Sequence, residues 1–180
     1  MIDRDARLAE AVRLRESGRP AEARELLVVL AQELPDDAQV AYQAAWVHDT
    51  LGLESAAEPH YRRALAIPGG LSAEDRADAL LGLGSTYRVL GRYQQAVETL
   101  TAASAEFPEN GALRAFLAMA LFNVGRHHDA MELLLTLVAT TSDDPNVAEY
   151  RPAIEHYAQD LHARVAEDSA VPPAGSGSLP

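Results

Sequence analysis

Leu80-Leu81-Gly82-Leu83-Gly84-Ser85-Thr86-Tyr87-Arg88-Val89-Leu90-Gly91-Arg92-Tyr93-Gln94-Gln95-Ala96-Val97-Glu98-Thr99-Leu100-Thr101-Ala102-Ala103-Ser104-Ala105-Glu106-Phe107-Pro108 decides the fold. Apolar residues recur here at helical spacing on both sides of Gly91, which reads as two amphipathic helices joined by a tight turn. Gly91 supplies an unstrained turn, and Pro108 stops the second helix. Gly84 and Ala96 are small, which suits two helices that approach most closely at those positions. Leu83, Tyr87, Leu100 and Ala103 fill the space around them.

Working outward, the turn glycine recurs. Gly18, Gly52, Gly91 and Gly125 stand 34, 39 and 34 residues apart, the middle interval carrying a five-residue insertion. The other units repeat the order of small and large positions: Ala11, Leu14, Ala23, Leu27, Leu30 and Pro35; then Ala44, Ala45, Ala57, Tyr61, Ala64 and Pro68; then Leu117, Ala118, Leu121, Ala130, Leu134 and Leu137. Such internal periodicity is the signature of stacked repeats. Helices are predicted near 3–17, 21–33, 37–51, 55–67, 73–90, 93–106, 110–124 and 127–140. Pro20 suits a first helical turn, and Ser72 with Asp75 resembles a capping box. Pro68-Gly69-Gly70-Leu71 reads as a loop. Pro59 lacks the N–H of a helix interior, so a late or kinked start is expected for the second helix of its unit.

Beyond the repeats, Val147, Tyr150, Ile154, Tyr157, Leu161 and Val165 recur every three or four residues. They predict an amphipathic helix over 145–166 that caps the last unit or, alternatively, dimerises. Residues 167–180, rich in Pro, Gly and Ser, read as a disordered tail.

Composition excludes several functions. The chain has 180 residues, net charge −12 and 48% hydrophobic residues. That is enough apolar material for a core and the wrong sign for phosphate contacts, so no nucleic-acid partner is expected. No run of 18 apolar residues crosses a membrane, and the acidic opening Met1-Ile2-Asp3-Arg4-Asp5 is no secretory leader. A cytoplasmic location is therefore expected. There is no cysteine, so disulfides and thiol chemistry are excluded. All 15 basic residues are Arg, which removes Schiff-base chemistry and a phosphate-loop lysine. The six His residues form no obvious ligand set. His127, His128 and Asp129 are consecutive and diverge around a helix, and His156 with Asp160 is a lone pair. No catalytic residue, metal or cofactor is expected.

The 34-residue period, with Leu80-x2-Leu83-Gly84-x2-Tyr87, Gly91, Ala96-x3-Leu100, Ala103 and Pro108, resembles the tetratricopeptide repeat family. The run Leu83 to Tyr93 is also similar to short bacterial members proposed to be dimers and without assigned enzymatic activity. The resemblance implies an all-α, right-handed solenoid over 1–166, with units at about 4–37, 38–71, 77–110 and 111–144 and a cap at 145–166. It implies a concave groove lined by the first helix of each unit. Carried over by position, the groove residues are Leu8, Val12, Arg15, Tyr42, Trp46, Asp49, Leu81, Ser85, Arg88, Met119, Phe122 and Asn123. Trp46 is the only tryptophan in the chain. Aromatic and Met anchors beside Arg are typical of a protein-binding patch. The expected role is a scaffold or adaptor holding a partner's peptide or helix. The alternatives are a self-associating homodimer or a regulatory partner of a separate enzyme. The family's carboxylate clamp needs Lys and Asn, and this chain has Val12, Trp46, Ser85 and Met119 at the corresponding positions instead.

Overall fold

The computed structural model describes residues 3–162. Within them the chain forms nine helices and no strand: α1 Arg4–Glu16, α2 Pro20–Glu33, α3 Ala38–Thr50, α4 Glu54–Ala66, α5 Ala73–Val89, α6 Tyr93–Glu106, α7 Gly111–Asn123, α8 His127–Thr141 and α9 Pro145–Gln159. The expected tail, 167–180, lies outside the described residues, as does Val165.

Two different devices start the helices. The first helix of each unit, and α9, is capped by a side chain. Asp3, Asp37, Ser72, Asn110 and Asp144 each accept a bond from a backbone N–H two or three residues on. The second helices have no such cap. They begin directly behind a glycine turn whose backbone closes on itself. Gly18, Gly52, Gly91 and Gly125 all have φ between 68° and 80°, and the next N–H reaches back five residues each time: Arg19 to Leu14, Leu53 to His48, Arg92 to Tyr87, Arg126 to Leu121. This is the Schellman closure of a helix end, repeated four times. At Ser72 half of the capping box forms: Oγ accepts from the Asp75 N–H at 3.0 Å, while the Asp75 carboxylate accepts from the Ser72 hydroxyl at 2.7 Å.

α4 begins at Glu54, so the late start expected from Pro59 does not occur. Ser55, whose carbonyl loses its helical partner to Pro59, is exposed, as is Pro59 itself. Water can satisfy that carbonyl, and the helix runs on.

Consecutive helices pack on one another along the chain. First helices also touch across units, α1 with α3, α3 with α5 and α5 with α7, whereas no two second helices do. A stack whose first helices are drawn together and whose second helices are spread apart curves with the first helices inside. Two clusters of buried residues result. One is built from Leu8, Ala11, Ala23, Leu27, Leu30 and Ala31 with Val40, Ala44 and Val47. The other runs from Ala41, Tyr42 and Ala45 through Leu83, Tyr87 and Leu100 to Leu121 and Ala130. α3 presents one face to each.

The smallest residues mark the tightest approaches. A Cβ on Gly84 would lie 2.5 Å from Leu100 Cγ, and Leu100 is fully buried. The close contact expected between the two helices of this unit is thus present.

α9 packs on the last unit as a C-terminal helix, over a narrower face than the sequence suggests. It ends at Gln159, short of residue 166, and packs on α8 alone. Its inward stripe is Val147, Arg151, Ile154 and Ala158, with the Arg151 Nε–H donating to the Ala139 carbonyl at 2.6 Å. Tyr150 and Tyr157 lie one step round the helix and are exposed, as is Leu161 beyond its end. Because α9 does not reach α7, Met119, Phe122, Met131, Leu134 and Val138 stay uncovered. Among the described residues no helix is long and apolar enough to cross a membrane.

Candidate functional site on the inner helices

The inner row α1, α3, α5 and α7 carries the positions singled out in the sequence, and the structure sorts them into three places. Tyr42, Trp46, Asp49, Leu81 and Ser85 line one cavity of about 320 Å³. Arg88, Met119, Phe122 and Asn123 belong to a separate apolar patch with Ala118, His127, Met131 and Leu134. Leu8 faces neither. It is 7% exposed and packs in the first cluster beside Leu27 of α2 and Val40 of α3. Val12 is half-buried on the same helix.

The cavity is built around Trp46. The ring lies 5.6 Å from that of Tyr42, one helical turn back. The Arg15 guanidinium reaches over from α1 to sit 3.5 Å above the indole, a cation–π contact that ties unit one to unit two. Arg15 is nearly buried, and its Nε–H has no partner. Trp46 itself is half-buried, with part of its surface open on the cavity.

The floor is polar. Asp49 Oδ2 accepts from the Tyr61 hydroxyl at 2.8 Å, and Oδ1 accepts from Thr86 Oγ1 at 3.0 Å. One carboxylate thus joins α3, α4 and α5. Burial raises the Asp49 pKa above the usual aspartate value, and the two hydrogen bonds partly offset that. Asp78 at the rim is raised as well, first by burial and then by Glu74 and Asp75 nearby. Burial also drives the Tyr61 hydroxyl upward, so it stays a donor.

Asp78 and Thr50, at further groove positions of the repeat, line the cavity too; three lining residues lie outside those positions: Tyr61 from α4, Gly82 from α5 and Phe116 from α7. Tyr61 carried a signal. It occupies a position that is Leu in units one, three and four, and a buried phenol demands an acceptor. Gly82 is the counterpart of Tyr61, since a Cβ there would overlap the phenol Cζ and Oη.

In the second patch, Arg88 Nε donates to Asn123 Oδ1 at 3.1 Å, linking units three and four. Phe122 is 61% exposed and leans on His127, with ring centroids 4.6 Å apart.

One titratable cluster escaped the sequence reading. His127, His128 and Asp129 were expected to diverge, yet ligand atoms of His128, Asp129 and Glu132 lie within 4.8 Å of one another, because i and i+4 share a helix face. Asp129 already pairs with Arg126 at 2.6 Å on the exposed surface. The guanidinium occupies the charge that a cation would need. His156 packs edge-on against Tyr157.

A buried histidine serves structure elsewhere. The Arg24 Nε–H donates to His48 Nε2 at 3.1 Å, so the proton of that ring sits on Nδ1 and is donated to the Ala44 carbonyl at 2.6 Å. His48 stacks on His60 at 5.2 Å.

The chain has relatives by fold. It is similar to the structure of pilF from Pseudomonas aeruginosa, at TM-score 0.64 and 22% identity over 87% of this chain and 69% of that one. It is similar to the MamA protein at TM-score 0.67 and 18% identity, covering 91% and 80%. It is also similar to YrrB, described as a TPR protein with an unusual peptide-binding site, at TM-score 0.59 and 17% identity over 87% and 86%. No curated protein matches the chain significantly. The family model described as tetratrico peptide repeat matches residues 38–161. With four helix pairs closed by the same glycine turn and stacked with their first helices inside, the chain belongs to the tetratricopeptide repeat family.

Proposed function

We propose that this protein is a non-enzymatic interaction module whose inner face, along α3, α5 and α7, holds a peptide or helix of a protein partner. The tetratricopeptide fold supports a protein-interaction or scaffold role in general. The particular support for this face is the cavity around Trp46. It is concave, walled by Tyr42, Trp46, Leu81 and Phe116, and supplied with a few fixed polar groups, which is the usual make-up of a recognition site. An apolar anchor from an amphipathic helix suits such walls.

Trp46→Ala tests the reading. The expected result is a chain that keeps its helical circular dichroism and loses capture of the partner recovered with the unaltered protein from its native cell. Full capture by a folded Trp46→Ala variant would overturn it. So would recovery of no partner by the unaltered chain.

A second reading has its own observation. Met119, Phe122, Met131 and Leu134 form an uncovered apolar patch, and patches of this kind mark association surfaces. Self-association through this end then accompanies or replaces groove binding, and light scattering reports it directly.

A further inference from the structure

The polar groups of the Trp46 cavity narrow the class of ligand, and this inference rests on the groove reading above. Asp49 and Asp78 both line the cavity. Among the described residues every ion pair uses other acids, so neither carboxylate has a cation of its own. Glu74 and Asp75 stand close enough to Asp78 to act on its charge. The nearby cation, Arg15, is committed to Trp46 from the α1 side and is not part of the cavity lining.

Asp49 is also held in place. Tyr61 and Thr86 each donate to a different oxygen. An ionised carboxylate has about four lone-pair sites, so each oxygen keeps capacity for one more donor. The carboxylate is therefore immobile, half-desolvated and short of positive charge. Burial raises the pKa of both acids, and at Asp78 the neighbouring Glu74 and Asp75 raise it further, so a cation arriving there relieves like-charge crowding. An incoming anion would meet two like charges. A purely apolar side chain would cover the carboxylates without pairing them, which is costly.

We infer that the cavity receives an arginine or lysine side chain of the bound partner, its aliphatic stem along Trp46, Leu81 and Phe116 and its cationic head between Asp49 and Asp78. Long basic side chains bury their stems on apolar walls while the head keeps polar company. An aromatic wall adds cation–π attraction, and the chain's net charge of −12 steers basic partners towards it.

The test uses a random dodecapeptide phage library selected on the full chain. The selected peptides are then titrated against the intrinsic fluorescence of Trp46, which is the sole tryptophan. Basic residues flanked by apolar ones should be enriched. Replacing the basic residue by norleucine in the best peptide should weaken binding roughly tenfold or more, the scale of one charge-assisted hydrogen bond. Asp78→Asn, at an exposed position, should weaken the same peptide comparably while helical circular dichroism is unchanged. Asp78→Asn serves because Asp49→Asn also disturbs Tyr61 and Thr86. Peptides that quench Trp46 but lose less than twofold on the norleucine change overturn the cation and leave the groove standing. Peptides that bind a folded Trp46→Ala variant unchanged, or a library that yields no binder, overturn both.

Discussion

Gly82→Ala is a one-carbon change that reaches the floor of the cavity. A Cβ at residue 82 would overlap Tyr61 Cζ and Oη and lie 2.7 Å from Cε1. Tyr61 is 3% exposed, so the phenol has nowhere to retreat without repacking α4. Overpacking of this kind costs about 1–3 kcal/mol. Displacing the hydroxyl also breaks its 2.8 Å bond to Asp49, worth about 1.5–3 kcal/mol for a charged acceptor. The gain in helix propensity from Gly to Ala returns about 1 kcal/mol. The net expectation is a destabilisation of about 1.5–5 kcal/mol, or a Tm lower by roughly 3–20 °C for a chain of this size. Thermal unfolding followed by circular dichroism measures it. The cycle with Tyr61→Phe isolates the cause. Phe lacks the clashing oxygen and has already forfeited the bond, so Gly82→Ala should cost at least about 1 kcal/mol less in that background. Additivity of the two changes to within about 0.5 kcal/mol would refute the assignment of Gly82 as the seat of Tyr61.

Three further outcomes follow from the same geometry. Gly91 has φ +73° and open space where a Cβ would stand, so Gly91→Ala should cost about 1–2 kcal/mol through the backbone alone, and Gly91→Asn less, read as shifts in the urea midpoint. His60 is held near pKa 4, well below its ordinary 6.5, by burial first and then by Arg63 and His48. Its neutral form is thus favoured by folding, and the unfolded chain binds the extra proton between these values. Stability from this residue is complete above pH 6.5 and falls as the pH drops towards 4, so His60→Gln should flatten the urea midpoint against pH across that window. Deleting the chain from Pro145 onward bares the α8 face that α9 covers. Light scattering should then show aggregation if α9 serves as a cap, and a soluble monomer replacing a dimer if it serves self-association.

The helices were legible because punctuation, not packing, sets their ends. Gly18, Gly52, Gly91 and Gly125 each close a turn by the same backbone bond, and Asp37, Ser72 and Asn110 each cap the helix that follows. Such signals are local and survive without knowledge of the partner helix. The cavity was only half legible. Position within the repeat found Tyr42, Trp46, Asp49, Leu81 and Ser85, because they lie on first helices whose inward face the period specifies. It missed Tyr61 and Gly82, which are matched to each other across two units. It also placed Leu8 in the groove, whereas that side chain packs between α2 and α3, because position in the repeat does not fix how deeply a residue on the inner helix sinks between its neighbours. Which face of the C-terminal helix packs was not legible for a related reason. Spacing of three and four defines a stripe without fixing which edge of it meets α8, so the exposed Tyr150 and Tyr157 looked the same as the packed Ile154.

α3 sends Val40, Ala44 and Val47 into one buried cluster and Ala41, Tyr42 and Ala45 into the other, and it also carries Trp46. A ligand seated on that helix therefore grips the partition between two rooms. By linkage, whatever binds the folded form raises its stability by RT ln(1 + [L]/Kd). Here that increment falls on the element both halves lean against. Slowed amide exchange should accordingly spread from α3 outward in both directions along the chain, towards α1 as well as α7, and leave α9 exchanging as fast as before.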